Sequence, residues 1–257
     1  MEKIKTYIVN LPQSVDRRTY MEDLMKPYTF LDVNIFNAVY GKTLSEEELS
    51  ARFDKDLAFK RYGRNLEPGE IGCSLSHFSL YEKLIKSQDN YMLILEDDIT
   101  ILKDISRLPS LIKYIDNDTP TVLFLSGDYW YYHLRKTETD YSIASVYDAV
   151  GTYAYFVNKA AAELILEKNP KCANAADNWA LFRQQGIVLK AVFPYLIDAN
   201  IEDFSSEINQ SHFGHIRDNM PLEIKIRSYW VALIKKIIVK QGHFVAKIRV
   251  PKCRQSQ

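Results

Sequence analysis

The run "YMLILEDD", Tyr91–Asp98, sets five apolar residues in a row and then three carboxylates. A strand with one wet face would alternate. A continuous apolar run has to be covered on both faces, as in a sheet sandwiched between helices. "TVLFLSGD", Thr121–Asp128, repeats the form and again ends on an acid. "KTYIVNL", "FLDVNIFNAV" and "IVLKAVFPYLI" are further β-branched and aromatic runs, each read as a strand. Between them the period changes. Met21, Leu24 and Met25 follow the turn-like "PQSVDRR" at helical spacing. Ile71, Leu75, Phe78 and Ile85 do the same, beside a polar line of Glu70, Ser74, His77 and Tyr81. "YAYFVNKAAAELILEK" reads as strand then helix, and "ADNWALFRQQG" as a short helix ended by Gly186. Alternation of this kind predicts an α/β fold with a mostly parallel central sheet flanked by helices.

Two segments stand outside the alternation. Ser45 three residues before Glu48 is a capping-box signature for a short acidic helix in "TLSEEELSARF". Asp54 to Pro68, which includes "KRYGRNLEPG", is polar and punctuated by Gly and Pro, so a mobile loop is expected there.

A chain of 257 residues with 47% hydrophobic and 26% charged residues can bury one large core, which excludes wholesale disorder. The formal net charge of zero hides an asymmetry. From Lys225 onward there are nine Lys or Arg and no acid, which leaves 24 basic against 33 acidic groups before it. A basic tail on an acidic body implies an anionic partner for the tail. Cys73, Cys172 and Cys253 are odd in number and scattered, which indicates neither a disulfide framework nor a zinc site. No run of about 18 apolar residues occurs, and "MEKIKTYIVNLP" lacks the features of a signal peptide. A cytoplasmic location is expected.

In open α/β sheets ligands sit beyond the carboxyl ends of the strands. Glu96, Asp97 and Asp98 are at such an end, as is Asp128. Crowded carboxylates repel unless a cation is near, and a divalent ion such as Mg²⁺ or Mn²⁺, shared with a substrate phosphate, is an economical answer. The plainer alternative is that one Asp makes a turn and the others face solvent. A phosphatase built on D-x-D-x-T would need an Asp nucleophile where Glu96 stands. Phosphate-binding and dinucleotide glycine motifs are missing, as is the G-x-S-x-G elbow.

"IVNLPQSVDRR", "LEPGEIGCSLSH", "YMLILEDDI", "VGTYAYFVNKAAAELIL" and "AADNWALF" occur in an order and spacing that resemble glycosyltransferase family 25, the lipooligosaccharide galactosyltransferase family. The resemblance covers about residues 5 to 210 and implies a GT-A-like catalytic domain over residues 1–215, followed by a basic amphipathic tail over 216–257. It implies inverting transfer from a nucleotide sugar, UDP-galactose, to a lipooligosaccharide or other bacterial surface glycan. Mn²⁺ or Mg²⁺ would be held by Asp98 and Glu96, with His212, or His215 beside it, completing the set. Asp97 would be a metal ligand or ribose partner. Asn10, Arg17 and Arg18 would approach the nucleotide, and His77 with Ser74 would lie near the donor. Asp177 matches the family's acidic position and becomes the candidate general base, although Asp is also a favoured helix cap. Asp128, beside the aromatics of "SGDYWYYH", is the second candidate.

For the tail, "YWVALIKKIIVK" puts Trp230, Leu233, Ile234, Ile237 and Ile238 on one stripe with Lys236 and Lys240 opposite. Such a helix can lie on the inner membrane surface, drawn to anionic lipid, or dock on the domain. Basic residues interleaved with large aliphatics argue against nucleic acid. The competing functions are a catalytically inactive sugar- or nucleotide-binding member of the fold and a metal-dependent phosphotransferase or hydrolase.

Overall fold

The computed structural model describes residues 3–115, 117–200 and 221–245. Its strands are β1 (Ile4–Asn10), β2 (Leu31–Asn37), β3 (Tyr91–Glu96), β4 (Ile99–Ile101), β5 (Thr121–Phe124), β6 (Tyr129–Lys136), β7 (Ser142–Ala149), β8 (Ala154–Asn158), β9 (Val188–Phe193), β10 (Ile197–Ala199) and β11 (Phe244–Val245). Its helices are α1 (Val15–Met25), α2 (Glu46–Arg52), α3 (Lys55–Tyr62), α4 (Pro68–Lys86), α5 (Leu108–Leu111), α6 (Lys159–Lys168), α7 (Trp179–Gln184) and α8 (Leu222–Lys240).

Nine strands form one sheet in the order β11-β6-β7-β9-β5-β8-β3-β1-β2, and β4 with β10 makes a separate ribbon. β1 is parallel to β2 and β3, and β5 is parallel to β9. β8 runs antiparallel between β3 and β5, so β1, β2, β3, β5 and β9 all point one way. The α/β architecture with a largely parallel central sheet flanked by helices therefore stands. It carries one reversed strand in its middle and an antiparallel β6–β7 hairpin that the hydrophobic pattern did not separate.

Both faces are covered, as the continuous apolar runs require. Met21 and Met25 of α1 and Leu108 and Leu111 of α5 share one core cluster with Ile8, Leu93 and Leu95. α4, α6 and α7 pack on the opposite face through Leu75, Phe78, Ala161, Ile165, Trp179 and Phe182. The capping box of α2 is present in full.

The expected mobile loop at Asp54–Pro68 is corrected: α3 fills its first half. Asp54 caps the helix by accepting from Leu57 N, and Gly63 ends it in the left-handed conformation at φ 68°. The glycine that looked like loop punctuation is a helix terminator. The expected boundary at residue 215 lies outside the described residues, as do His212 and His215.

α8 also corrects the stripe drawn on it. Ile238 is buried and Leu233 and Ile234 are half-buried, while Trp230 and Ile237 are exposed. The docked side includes Lys235, whose Nζ lies 2.5 Å from Asp148 Oδ2 and 3.9 Å from the centroid of the Trp130 ring. After α8 the chain adds β11 to β6, where Phe244 stacks on Trp130 with centroids 4.7 Å apart. Among the described residues no helix is long and apolar enough to cross a membrane.

Candidate active site

β1 and β3 are adjacent and parallel, with Val9 opposite Glu96, so their carboxyl ends open at one edge of the sheet. Asn10 there is buried, and its Nδ2 donates to Asp97 Oδ2 at 2.7 Å and to the Ser14 carbonyl at 3.1 Å. Arg17, in the first turns of α1, places Nη1 2.8 Å from Asp97 Oδ1 and 3.3 Å from Asp98 Oδ2. Among the described residues a guanidinium thus compensates two of the crowded carboxylates, Asp97 and Asp98.

A cavity of about 810 Å³, part of it open to solvent, lies between this edge, residues 38–42 and α4. Arg17, Lys42, Cys73, His77 and all three acids from Glu96 to Asp98 line it. The wall between residues 38–42 and α4 depends on two glycines. A Cβ on Gly72 would stand 2.4 Å from the Val39 carbonyl oxygen, and one on Gly41 would stand 1.8 Å from that of Pro68. Backbone meets backbone there, and no larger residue fits.

Burial sets the electrostatics. Glu96 accepts a hydrogen bond from Thr152 Oγ1. Burial, reinforced by Asp98, Asp97 and Asp177, pushes its carboxyl up to about 8. Burial also lowers His77 to about 4, so the ring is neutral. His77 Nδ1 lies 2.6 Å from Tyr155 Oη, which lies 2.9 Å from Tyr81 Oη. His77 Nε2 is buried with no hydrogen-bond partner. Burial raises the Cys73 thiol well above its ordinary value, and nearby Glu96 adds to the shift. Among the described residues, the one set of three His, Cys, Asp or Glu side chains whose ligand atoms all lie within 4.8 Å of each other is Cys73, His77 and Glu96.

Asp177 is half-buried just before α7. The helix cap is Asn178, which accepts from Leu181 N, so capping does not explain the acid. Asp177 Oδ2 accepts from Gly151 N at 3.1 Å, and burial raises its pKa. Its charge adds to the upward shifts of Glu96 and Cys73, and it is not among the residues that line the cavity.

The remaining sequence candidates divide. Asp97, Asp98, Glu96, His77 and Arg17 meet at the cavity. Asn10 stands behind Asp97 as its support. Arg18 does not reach the site: its Nε pairs with Glu22 at 2.9 Å on the exposed side of α1. Ser74 is buried and spends its hydroxyl on the Glu70 carbonyl, one helix position away from the cavity-facing Cys73. Along the polar line on α4, Glu70, Ser74 and Tyr81 are satisfied, with Glu70 forked by Arg64 at 2.6 Å through both nitrogens, while His77 keeps one ring nitrogen unpartnered. Asp128 sits at φ 62° in the turn before β6 and does not line the cavity. Cys73 and Thr152 were missed. The i, i+4 spacing of Cys73 and His77 was the available signal.

Of the ligands expected for Mg²⁺ or Mn²⁺, Asp98 and Glu96 stand at the cavity and His212 lies outside the described residues. Asp97 is held by Asn10 and Arg17, and Asp98 shares Arg17. Ions of this kind are usually held by one or two carboxylates together with substrate phosphates and water.

A family model described as "Glycosyltransferase family 25 (LPS biosynthesis protein)" matches residues 3–179. A putative glycosyltransferase of Acanthamoeba polyphaga mimivirus is similar at 26% identity over 89% of this chain and 72% of its own. Procollagen galactosyltransferase 2 of Homo sapiens is similar at 32% identity over 43% of this chain and 18% of its own. The chain thus spans under a fifth of the length of the human relative. Among solved structures, the glycosyltransferase GlyE of Streptococcus pneumoniae is similar at 11% identity and TM-score 0.40, over 97% of this chain and 66% of that one. The family model takes in every segment that builds the cavity as well as Asp177, and the chain belongs to glycosyltransferase family 25.

Proposed function

We propose that the protein is an inverting galactosyltransferase that uses UDP-galactose, with the nucleotide in the cavity at the carboxyl ends of β1 and β3. The observation that carries this reading is the meeting of Arg17, Lys42 and the Glu96–Asp98 acids at one cavity built from the family-matched segments. Galactose is favoured by the galactosyltransferase names of vertebrate relatives, and a lipooligosaccharide or other surface glycan acceptor by the family's description.

Arg17 and Lys42 supply positive charge for a diphosphate. Asp177 is the base. The acceptor hydroxyl oxygen attacks the anomeric carbon, its proton passes to the Asp177 carboxylate, and the bond to the β-phosphate oxygen breaks to release UDP with inversion. The raised pKa of Asp177 makes it a stronger base than a solvated Asp.

A lipid-linked acceptor would bring the protein to the cytoplasmic face of a membrane. Leu222, Ile226, Tyr229, Trp230 and Ile237 stand exposed on α8 at helical spacing, among the lysines of the basic tail, and support peripheral contact with anionic lipid. Flotation of the full chain with anionic liposomes is expected to be lost in an Ile226→Ser/Trp230→Ser double variant. Equal flotation of both proteins would remove the membrane contact.

Incubation with a panel of UDP-sugars and galactose- or glucose-terminated acceptors, followed by product mass, tests the reaction. A glycan one hexose heavier is expected. UDP release without product would favour a hydrolase, and UDP binding without turnover an inactive sugar-binding member.

A further inference from the structure

Asp97 and Asp98 share Arg17, yet one corner of the wall gathers a different donor set. Cys73 and His77 lie one turn apart on α4, so their side chains share a face, and Glu96 reaches the same corner from the end of β3. Their ligand atoms lie within 4.8 Å of one another, close enough to converge on one ion after small side-chain rotations. His77 Nε2 is fully buried without a hydrogen-bond partner, an arrangement that leaves a neutral ring nitrogen for a metal.

We infer that Cys73 Sγ, His77 Nε2 and a Glu96 carboxylate oxygen form a three-ligand site for a Zn²⁺-class cation, with its fourth position toward the cavity. A thiolate, an imidazole and a carboxylate are the ligand types that zinc takes, and three protein ligands with one open position is its usual arrangement at reactive sites. Thiolate also selects against Mg²⁺ and Mn²⁺, which prefer oxygen. The supporting groups are in place. Tyr155 Oη holds His77 Nδ1 at 2.6 Å and is itself held by Tyr81 Oη at 2.9 Å, while Thr152 Oγ1 donates to Glu96 Oε1. Partners of this kind fix ring and carboxylate orientation and sharpen metal affinity. On binding, the Cys73 thiol proton leaves to solvent as the Zn–S bond forms.

The site does not depend on the sugar-donor reading, and its test uses metal alone. Chelator-treated full-length protein titrated with Zn²⁺ should take up one tightly bound equivalent, and Co²⁺ in its place should show a thiolate-to-metal absorption band. Zn²⁺ should protect Cys73 from iodoacetamide in the wild-type protein, read by peptide mass, a measurement that needs no variant to fold. Cys73→Ser should abolish the cobalt band, and Tyr155→Phe should weaken Zn²⁺ binding by roughly tenfold to a hundredfold. Cys172→Ser should leave the stoichiometry and the band unchanged. Alkylation of Cys73 at the same rate with and without Zn²⁺, or a cobalt band that survives Cys73→Ser, would overturn the site. UDP binding by the metal-free protein is measured separately, so loss of the zinc site and loss of the nucleotide cavity are told apart.

Discussion

Arg17 and Arg18 are adjacent in the chain and do different work, because successive helix positions point about 100° apart. Arg17 is inward, its side chain 15% exposed between two carboxylates that are 11% and 18% exposed. Arg17→Gln leaves both acids without that charge in a poorly solvated place. The expected cost is about 3 kcal/mol in denaturant unfolding, together with loss of UDP binding. Arg18 and Glu22 are half-exposed, so Arg18→Gln should change stability by no more than about 0.5 kcal/mol and leave turnover intact. Asp177 gives a prediction about pH. Its folded pKa is raised above the ordinary carboxylate value. Below the unfolded pKa both states hold the proton. Between the two values only the folded state does, so stability falls as pH rises through that window. Asp177→Asn should remove this slope in pH-dependent melting and raise Tm at neutral pH while abolishing turnover. In the wild-type enzyme the acid limb of kcat/KM should lie above the range of a solvated Asp. Wild-type turnover by Asp177→Asn would take the residue out of the base role.

At the scale of elements, the cavity exists because α4 comes into backbone contact with residues 38–42. Val39 N donates to Ser76 Oγ at 2.8 Å, and Gly72 and Gly41 allow the approach. Gly72→Ala sets a methyl group 2.4 Å from a carbonyl oxygen that belongs to backbone and cannot swing aside. The two elements must separate, with an expected loss of about 1–3 kcal/mol from overpacking and weaker nucleotide binding, read by thermal melting and calorimetry. Ser45→Ala, which removes the capping box of α2, should cost about 1 kcal/mol in thermal melting.

At the scale of the whole molecule, the tail is joined to the sheet by a buried charge. Asp148 is 8% exposed at its side chain and takes Lys235 as its ion partner. Lys235→Met should therefore lower stability by about 3 kcal/mol. Deleting residues 222–257 would also unpair Tyr129 and Trp130 at the start of β6 and uncover the Trp130 face. Unpaired strand edges pair with other copies, so the truncated protein is expected to self-associate in light scattering, where the full chain does not.

Sequence pattern alone determined the alternation of strands and helices, the two-faced burial of the central strands, and the acids at the end of β3. Each is a local matter of side-chain polarity against a period of two or 3.6 residues, which is why "YMLILEDD" and the α4 stripe could be placed before any coordinates. The same locality misled at Gly63, where a helix terminator has the composition of a loop, and at Ser74 and Arg18, whose directions depend on a neighbouring element. Tertiary structure decided what the acids do. Arg17 lies some 80 residues before Asp97 in the chain, and Cys73 and His77 come to Glu96 only when α4 packs beside β3. Such meetings follow from chain topology and from which buried charges must be compensated, and neither is written in any one segment.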